Sequence, residues 1–166
     1  DFGGGRDIFI AKITSNGSLD SSFSTDGILQ FGSNAIGMGA SASEDVRGIS
    51  VDSSGNIFIA GDTEGSLGES NGGRDDIFIA KYLASNSKLD PSFGNNGILQ
   101  MGQSFGDKSS GRDEVYDFHM DASGKMYLLV VTSSDLGDTR VGTSLNIDVA
   151  VVKLNADGTP DTSFSG

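Results

Sequence analysis

The chain has 166 residues, with 11 Lys plus Arg against 23 Asp plus Glu, and its formal charge of −12 argues against nucleic acid and anionic membranes, whose phosphates repel it. It contains no cysteine, which excludes disulfides, thiolate chemistry and zinc–sulfur centres, and no apolar run approaches the ~18 residues that span a bilayer. Glycine fills 25 positions, and Asp outnumbers Glu by 19 to 4, a bias toward turns over helix surfaces that points to loop-rich β structure.

The elements read in chain order as short strands. Asp7–Lys12 (DIFIAK) follows the loop glycines Gly3, Gly4 and Gly5, and Gly27–Gln30 (GILQ) is a second strand. Val46–Val51 alternates, with Val46, Gly48 and Ser50 on one face and Arg47, Ile49 and Val51 on the other. Asp52-Ser53-Ser54-Gly55-Asn56 is a tight turn, so Asn56–Ala60 forms a hairpin with the preceding strand. After a polar loop, Asp62 to Arg74, the apolar run Ile77–Leu83 suits a strand buried on both faces. Gly97–Met101 is a short fourth strand, and Val115–Met120 alternates again. No window carries an apolar pattern of period 3.6, so helix is expected to be nearly absent.

These elements recur. DIFIAK at Asp7 returns at Asp76 after 69 residues, and more loosely at Asp148 as DVAVVK. GILQ at Gly27 returns at Gly97, and Leu19–Phe23 (LDSSF) returns at Leu89–Phe93 and Pro160–Phe164. The pair Val46–Asn56 and Val115–Lys125 is again 69 apart. A four-stranded antiparallel unit of about 70 residues in tandem predicts an all-β fold of β-propeller blades. A β-solenoid repeats in ~20–30 residues, and a β-sandwich gives no reason for the period. The expected division is a partial blade over 1–45 holding its last two strands, a complete blade over 46–114, and a partial blade over 115–166. About two and a half blades do not close a ring, so further blades of the same polypeptide or self-association are expected. No basic and apolar leader opens the chain at Asp1, which reads as the start of a mature protein or of a piece of a longer one.

The segment Glu44–Gly61 (EDVRGISVDSSGNIFIAG), continued by Gly73–Lys81, resembles the SBBP-type β-propeller repeat of bacterial exported proteins. Leu89–Ile98 (LDPSFGNNGI) resembles the related delta-60 repeat. The resemblance implies a propeller in a secreted or surface protein and assigns no activity.

Candidate chemistry is sparse. Asn155, Asp157 and Asp161 place oxygen side chains around Gly158 as a calcium loop does. Lys153 stands where such a loop wants an acid, and a hairpin turn with side-chain-to-backbone bonds is the alternative. Asp7, Asp76 and Asp148 begin the third strand of each period, as a ring of carboxylates for a cation or as structural acceptors, with Arg6 and Arg74 beside two of them. His119, the single histidine, lies within a strand and reads as structural. Glu114 and Asp117 form a carboxylate pair no better than many others, and no serine is singled out for a triad. Trp is absent, and Tyr82, Tyr116 and Tyr127 fall inside strands and read as packed, as do the repeating phenylalanines.

No catalytic residue, cofactor site or metal site is therefore assigned, calcium at Asn155, Asp157 and Asp161 being the one candidate. The expected function is a non-enzymatic structural or binding scaffold, extracellular or at the cell surface. Its contact surface would be the long segments Gly32–Asp45, Asp62–Arg74, Gly102–Arg112 and Ser133–Asn146, its ligand a protein or glycan. The alternative is part of a propeller lyase or hydrolase whose catalytic residues lie elsewhere. Nucleic acid and membrane insertion are not expected.

Overall fold

The computed structural model describes residues 8–31, 42–67, 70–71, 74–102, 111–133 and 147–164. Among them there is no helix, and nine strands form three antiparallel sheets: β1 (Ile8–Ala11) and β2 (Ile28–Phe31); β3 (Glu44–Val51), β4 (Ile57–Thr63), β5 (Asp76–Tyr82) and β6 (Ile98–Gln100); β7 (Asp113–Met120), β8 (Met126–Thr132) and β9 (Asp148–Leu154). Strand order within each sheet follows chain order, so every step is a hairpin connection.

The hairpins form where the sequence supplies turn chemistry. Asp52 Oδ1 accepts the amides of Ser54 and Asn56, both at 2.9 Å, and Gly55 takes φ 82°, a left-handed conformation that glycine adopts without strain. Asp121 repeats the arrangement with Ser123 and Lys125, and Gly124 takes φ 83°. β3 begins two residues earlier than its alternation suggests, and β4 runs on through Gly61, Asp62 and Thr63. That polar stretch reads as loop, yet it is buried because Thr63 pairs with both Glu44 and Asp76.

Packing lies between sheets. One core joins Ile8, Ile10 and Phe23 to Ile57, Ile59, Phe78, Ala80 and Tyr82. The other joins Phe58, Ala60, Ile77, Ile79 and Phe93 to Val115, Phe118, Met126, Leu128 and Val130. The middle sheet thus has a core on each face, and every residue of β4 is buried. The outer sheets are covered on one face, and β8 alternates between buried and more exposed positions. Blades stacked face to face pack in this way.

The second core depends on a close approach at Gly48 of β3. A Cβ built there would lie 2.6 Å from the Phe118 Cβ of β7, inside van der Waals contact. Gly48→Ala is expected to push the two inner strands apart and to remove about 1–2 kcal/mol of stability by overpacking. Gly17→Ala makes the comparison in urea unfolding, since nothing lies within 4 Å of a Cβ there and only its φ of 87° opposes the change.

Candidate functional site

Antiparallel order sends alternate connections to opposite ends of the sheets. The segments 32–43, 64–75, 101–112 and 133–147 all leave from the end where β3, β5, β7 and β9 begin. The short turns 52–56 and 121–125 and the segments 12–27 and 83–97 occupy the other end. Most of the four long segments lies outside the described residues, but their roots are described.

At these roots a bulge decides the geometry. The β3–β4 register shifts between Val46 and Gly48, and Arg47 is the extra residue, a position from which a side chain is re-aimed. Its guanidinium forks onto Asp62 of β4, Nε to Oδ1 at 3.3 Å and an NH2 to Oδ2 at 3.1 Å. Asp62 is buried, and its Oδ1 also accepts the amide of Val115 in the next sheet at 3.2 Å. Burial pushes the Asp62 carboxyl above its ordinary value although Arg47 opposes the shift, and Asp62 in turn raises Arg47. Asp45 and Glu114 stand 3.9 and 3.8 Å from the same guanidinium. Glu114 continues to Arg112 at 2.7 Å, and Arg112 to Asp75 at 2.6 Å. The chain of charges crosses from the second sheet to the third, and Asp75 and Arg112 also form a backbone bridge.

Beside it, Gln100 anchors a long connection. Its Nε2 donates to Asp76 Oδ2 at 2.8 Å and to the carbonyl of Gly65 at 3.0 Å, while its Oε1 accepts the Leu67 amide at 2.6 Å. Asp76 is buried and Asp148 is exposed at the start of β9, so these two equivalent carboxylates do not share an environment. Asp7 and Arg6 lie outside the described residues. Among the described residues, the arginines that meet carboxylates at this end are Arg47 and Arg112. Of the remaining acids, Glu44 accepts from Thr63 at 3.3 Å and Asp113 accepts from Thr132.

The opposite end carries a repeated clip of lysine, aspartate and serine. Lys12 meets Asp20 at 2.9 Å, Lys81 meets Asp90 at 2.8 Å, and Lys153 meets Asp161 at 3.1 Å. Each Asp also accepts the amide and hydroxyl of the residue two positions on, Ser22, Ser92 or Ser163. At the third clip a second lysine enters: Lys125 Nζ lies 2.9 Å from Asp161 Oδ2 and 3.0 Å from Asn155 Oδ1. Asp157 turns instead to the amide and hydroxyl of Thr159. Of the three residues that suggested calcium, Asn155 and Asp161 thus meet on an ammonium group, and Asp157 faces its own turn.

The clips set an acid-sensitive stability. The Ser22 hydroxyl, with Lys12 behind it, holds Asp20 down to about 2, and Lys81 with Ser92 holds Asp90 down to about 2. Lys125, Ser163 and Lys153 hold Asp161 lower still. A carboxylate depressed on folding contributes stability above its unfolded value, 3.8, and loses it as pH falls through the folded one. The melting temperature is therefore expected to fall between about pH 4 and pH 2. Lys81→Met should make that decline shallower when thermal melts are followed by circular dichroism, and an unchanged slope would contradict the clip.

Two readings of aromatic residues need correction. Tyr116 is 64% exposed rather than packed, because the β7–β8 register shifts between Val115 and Asp117 and makes it the bulge residue, the counterpart of Arg47. Phe9 and Phe164 are exposed while their repeat counterparts Phe78 and Phe93 are buried. Tyr82 is buried and Tyr127 half-buried, its ring 6.4 Å from that of His119, its β7 pairing partner. Asp117 accepts the Phe118 amide at 2.9 Å, so it and Glu114 are each engaged locally. Among the described residues, no three His, Asp or Glu side chains converge as metal ligands do.

Residues 26–69 match the SBBP beta-propeller repeat, and residues 1–23 and 141–164 match the beta-propeller domain of unknown function DUF5122. This is a β-propeller repeat protein. The matched stretches include the hairpin and bulge of the middle blade and the lysine–aspartate clips of the outer two, so both structural signatures of the propeller repeat fall within family sequence. No curated protein matches the chain.

Proposed function

We propose that this propeller repeat protein is a non-enzymatic module of an exported or cell-surface bacterial protein, a rigid scaffold whose long connections contact a protein or glycan. The observation that carries the reading is the common end from which the four long segments leave. The charge network from Asp45 to Asp75 and the Gln100 anchor brace their roots. Loops held on a rigid sheet are where recognition concentrates, and here Leu67 and Met101 at their roots are buried in the two cores and fix the connections to the sheets.

The test combines location with binding. An epitope-tagged copy in its own cell is expected to lose the tag when intact cells are treated with protease. The purified chain is expected to bind arrays of glycans or surface proteins, and to lose that binding when 103–110 and 134–146 are replaced by Gly/Ser linkers with the circular dichroism unchanged. A tag protected inside the cell, or binding indifferent to both replacements, would overturn the proposal.

A further inference from the structure

The connections that follow β1, β5 and β9 each turn on a residue in the left-handed region. After β1 and β9 that residue is glycine, Gly17 at φ 87° and Gly158 at φ 88°; after β5 it is Ser87, at φ 55°. A side chain there is strained and persists where the surrounding contacts hold it. The middle connection is also one residue longer: Lys81 and Asp90 of its clip are nine positions apart, where Lys12 and Asp20, and Lys153 and Asp161, are eight. With the extra residue the turn closes from the Ser87 amide to the Leu83 carbonyl, four positions back, whereas the Gly17 and Gly158 amides reach back three, to Thr14 and Asn155.

The Ser87 side chain bridges the junction between the first two sheets. It is buried, and its Oγ accepts the amide of Ser24 at 3.0 Å, 63 positions away in the connection between β1 and β2. Ser24 is itself left-handed, φ 56°, and follows Phe23 of the first core. The next junction is built differently from equivalent parts. There Gly94, φ 53°, follows Phe93, and Gly158 sets its backbone against the Phe93 and Leu99 side chains, a Cβ built on it lying 3.1 and 3.3 Å from them. Glycine at 87 would take the hydroxyl from the Ser24 amide, and serine at 158 would crowd the Phe93 ring.

We infer that Ser87 keys the second blade onto the first: the lengthened turn carries its hydroxyl to the Ser24 amide, and the left-handed strain is retained for that contact. Tandem units of similar sequence are prone to dock on the wrong neighbour. A serine latch at one junction and a glycine seat at the next make the two junctions non-interchangeable. This matching of blades is independent of what the long connections bind.

Amide hydrogen exchange followed by NMR on the full chain tests it with Ser87→Gly, Ser87→Ala and a deletion of Ser85. Each is expected to lower the protection of the Ser24 amide roughly tenfold, the worth of one hydrogen bond, while the Val115 amide at the other junction keeps the parent's protection. Ser24→Gly leaves the donor in place, so protection at position 24 is expected to persist. Ser87→Gly combined with Gly158→Ser is expected to have a lower urea midpoint than Ser87→Gly alone. Unchanged protection at Ser24 in Ser87→Gly or Ser87→Ala, or a loss spread evenly over all amides, would overturn the latch. Protection that survives the deletion would overturn the role of the longer turn, and a midpoint that does not fall on adding Gly158→Ser would overturn the distinction between the junctions.

Discussion

Phe78→Ala is expected to remove about 3–5 kcal/mol of stability, while the same substitution at Phe9 changes it by less than about 0.5 kcal/mol. The two phenylalanines sit in one hexapeptide, DIFIAK, and share its local conformation in β5 and β1. Phe78 lies in the first core between sheets, with Ile57, Ile59 and Ile98 around it, and the void left by truncation has rigid β-sheet on both sides that cannot collapse to fill it. Phe9 faces outward and loses little. For a chain of this size the Phe78 effect corresponds to a fall of roughly 6–20 °C in melting temperature. Urea unfolding separates the two. Equal effects at both positions would contradict the placement of the core between sheets.

Arg47→Met is expected to remove about 2–3 kcal/mol, less than the 3–5 of a fully sealed ion pair because the guanidinium is partly exposed and solvent screens what is left. The variant leaves Asp62 buried without its counter-charge, and burial then raises that carboxyl further. A group raised on folding contributes stability below its unfolded value, 3.8, and loses it as pH climbs through the folded one. The variant should therefore be closer to the parent near pH 4 than at neutrality, opposite in sign to the effect of the lysine–aspartate clips. Arg47→Met with Asp62→Asn should recover most of the loss at neutral pH, since the buried charge is gone and Asn Oδ1 can still accept the Val115 amide. Urea unfolding of the single and double variants at both pH values gives the answer, and a loss independent of pH would contradict the role given to Asp62.

Local features of the fold are legible in the sequence. The Asp-Ser-Ser-Gly turn, the apolar β5 and the 70-residue period each depend on neighbours in the chain, and the repetition of four markers makes the unit plain. What is not legible is whatever a neighbouring sheet decides. Phe9 and Phe78 have the same flanking residues, and only the sheet on their far side distinguishes them. The bulges at Arg47 and Tyr116 interrupt strands whose alternation looks regular, so Tyr116 reads as packed and the Arg47 fork onto Asp62 has no local signal. The sequence offers Asp161 either as a calcium candidate or as part of a hairpin turn, and Lys125, which meets it, comes from a hairpin 36 residues away. Gln100 did carry a signal in the recurring GILQ, but its hold on Gly65 and Leu67 depends on a connection folding back over it.

Methyl-resolved NOE spectroscopy on the full chain tests the stacked-blade arrangement most directly. The account predicts cross-peaks from Ile77 and Ile79 to Val115, Leu128 and Val130, and separately from Ile8 and Ile10 to Ile57 and Ile59, because each core belongs to one pair of adjacent sheets. Cross-peaks joining Ile8 or Ile10 directly to Leu128 or Val130, as a two-layer sandwich with a single shared core would give, would contradict it.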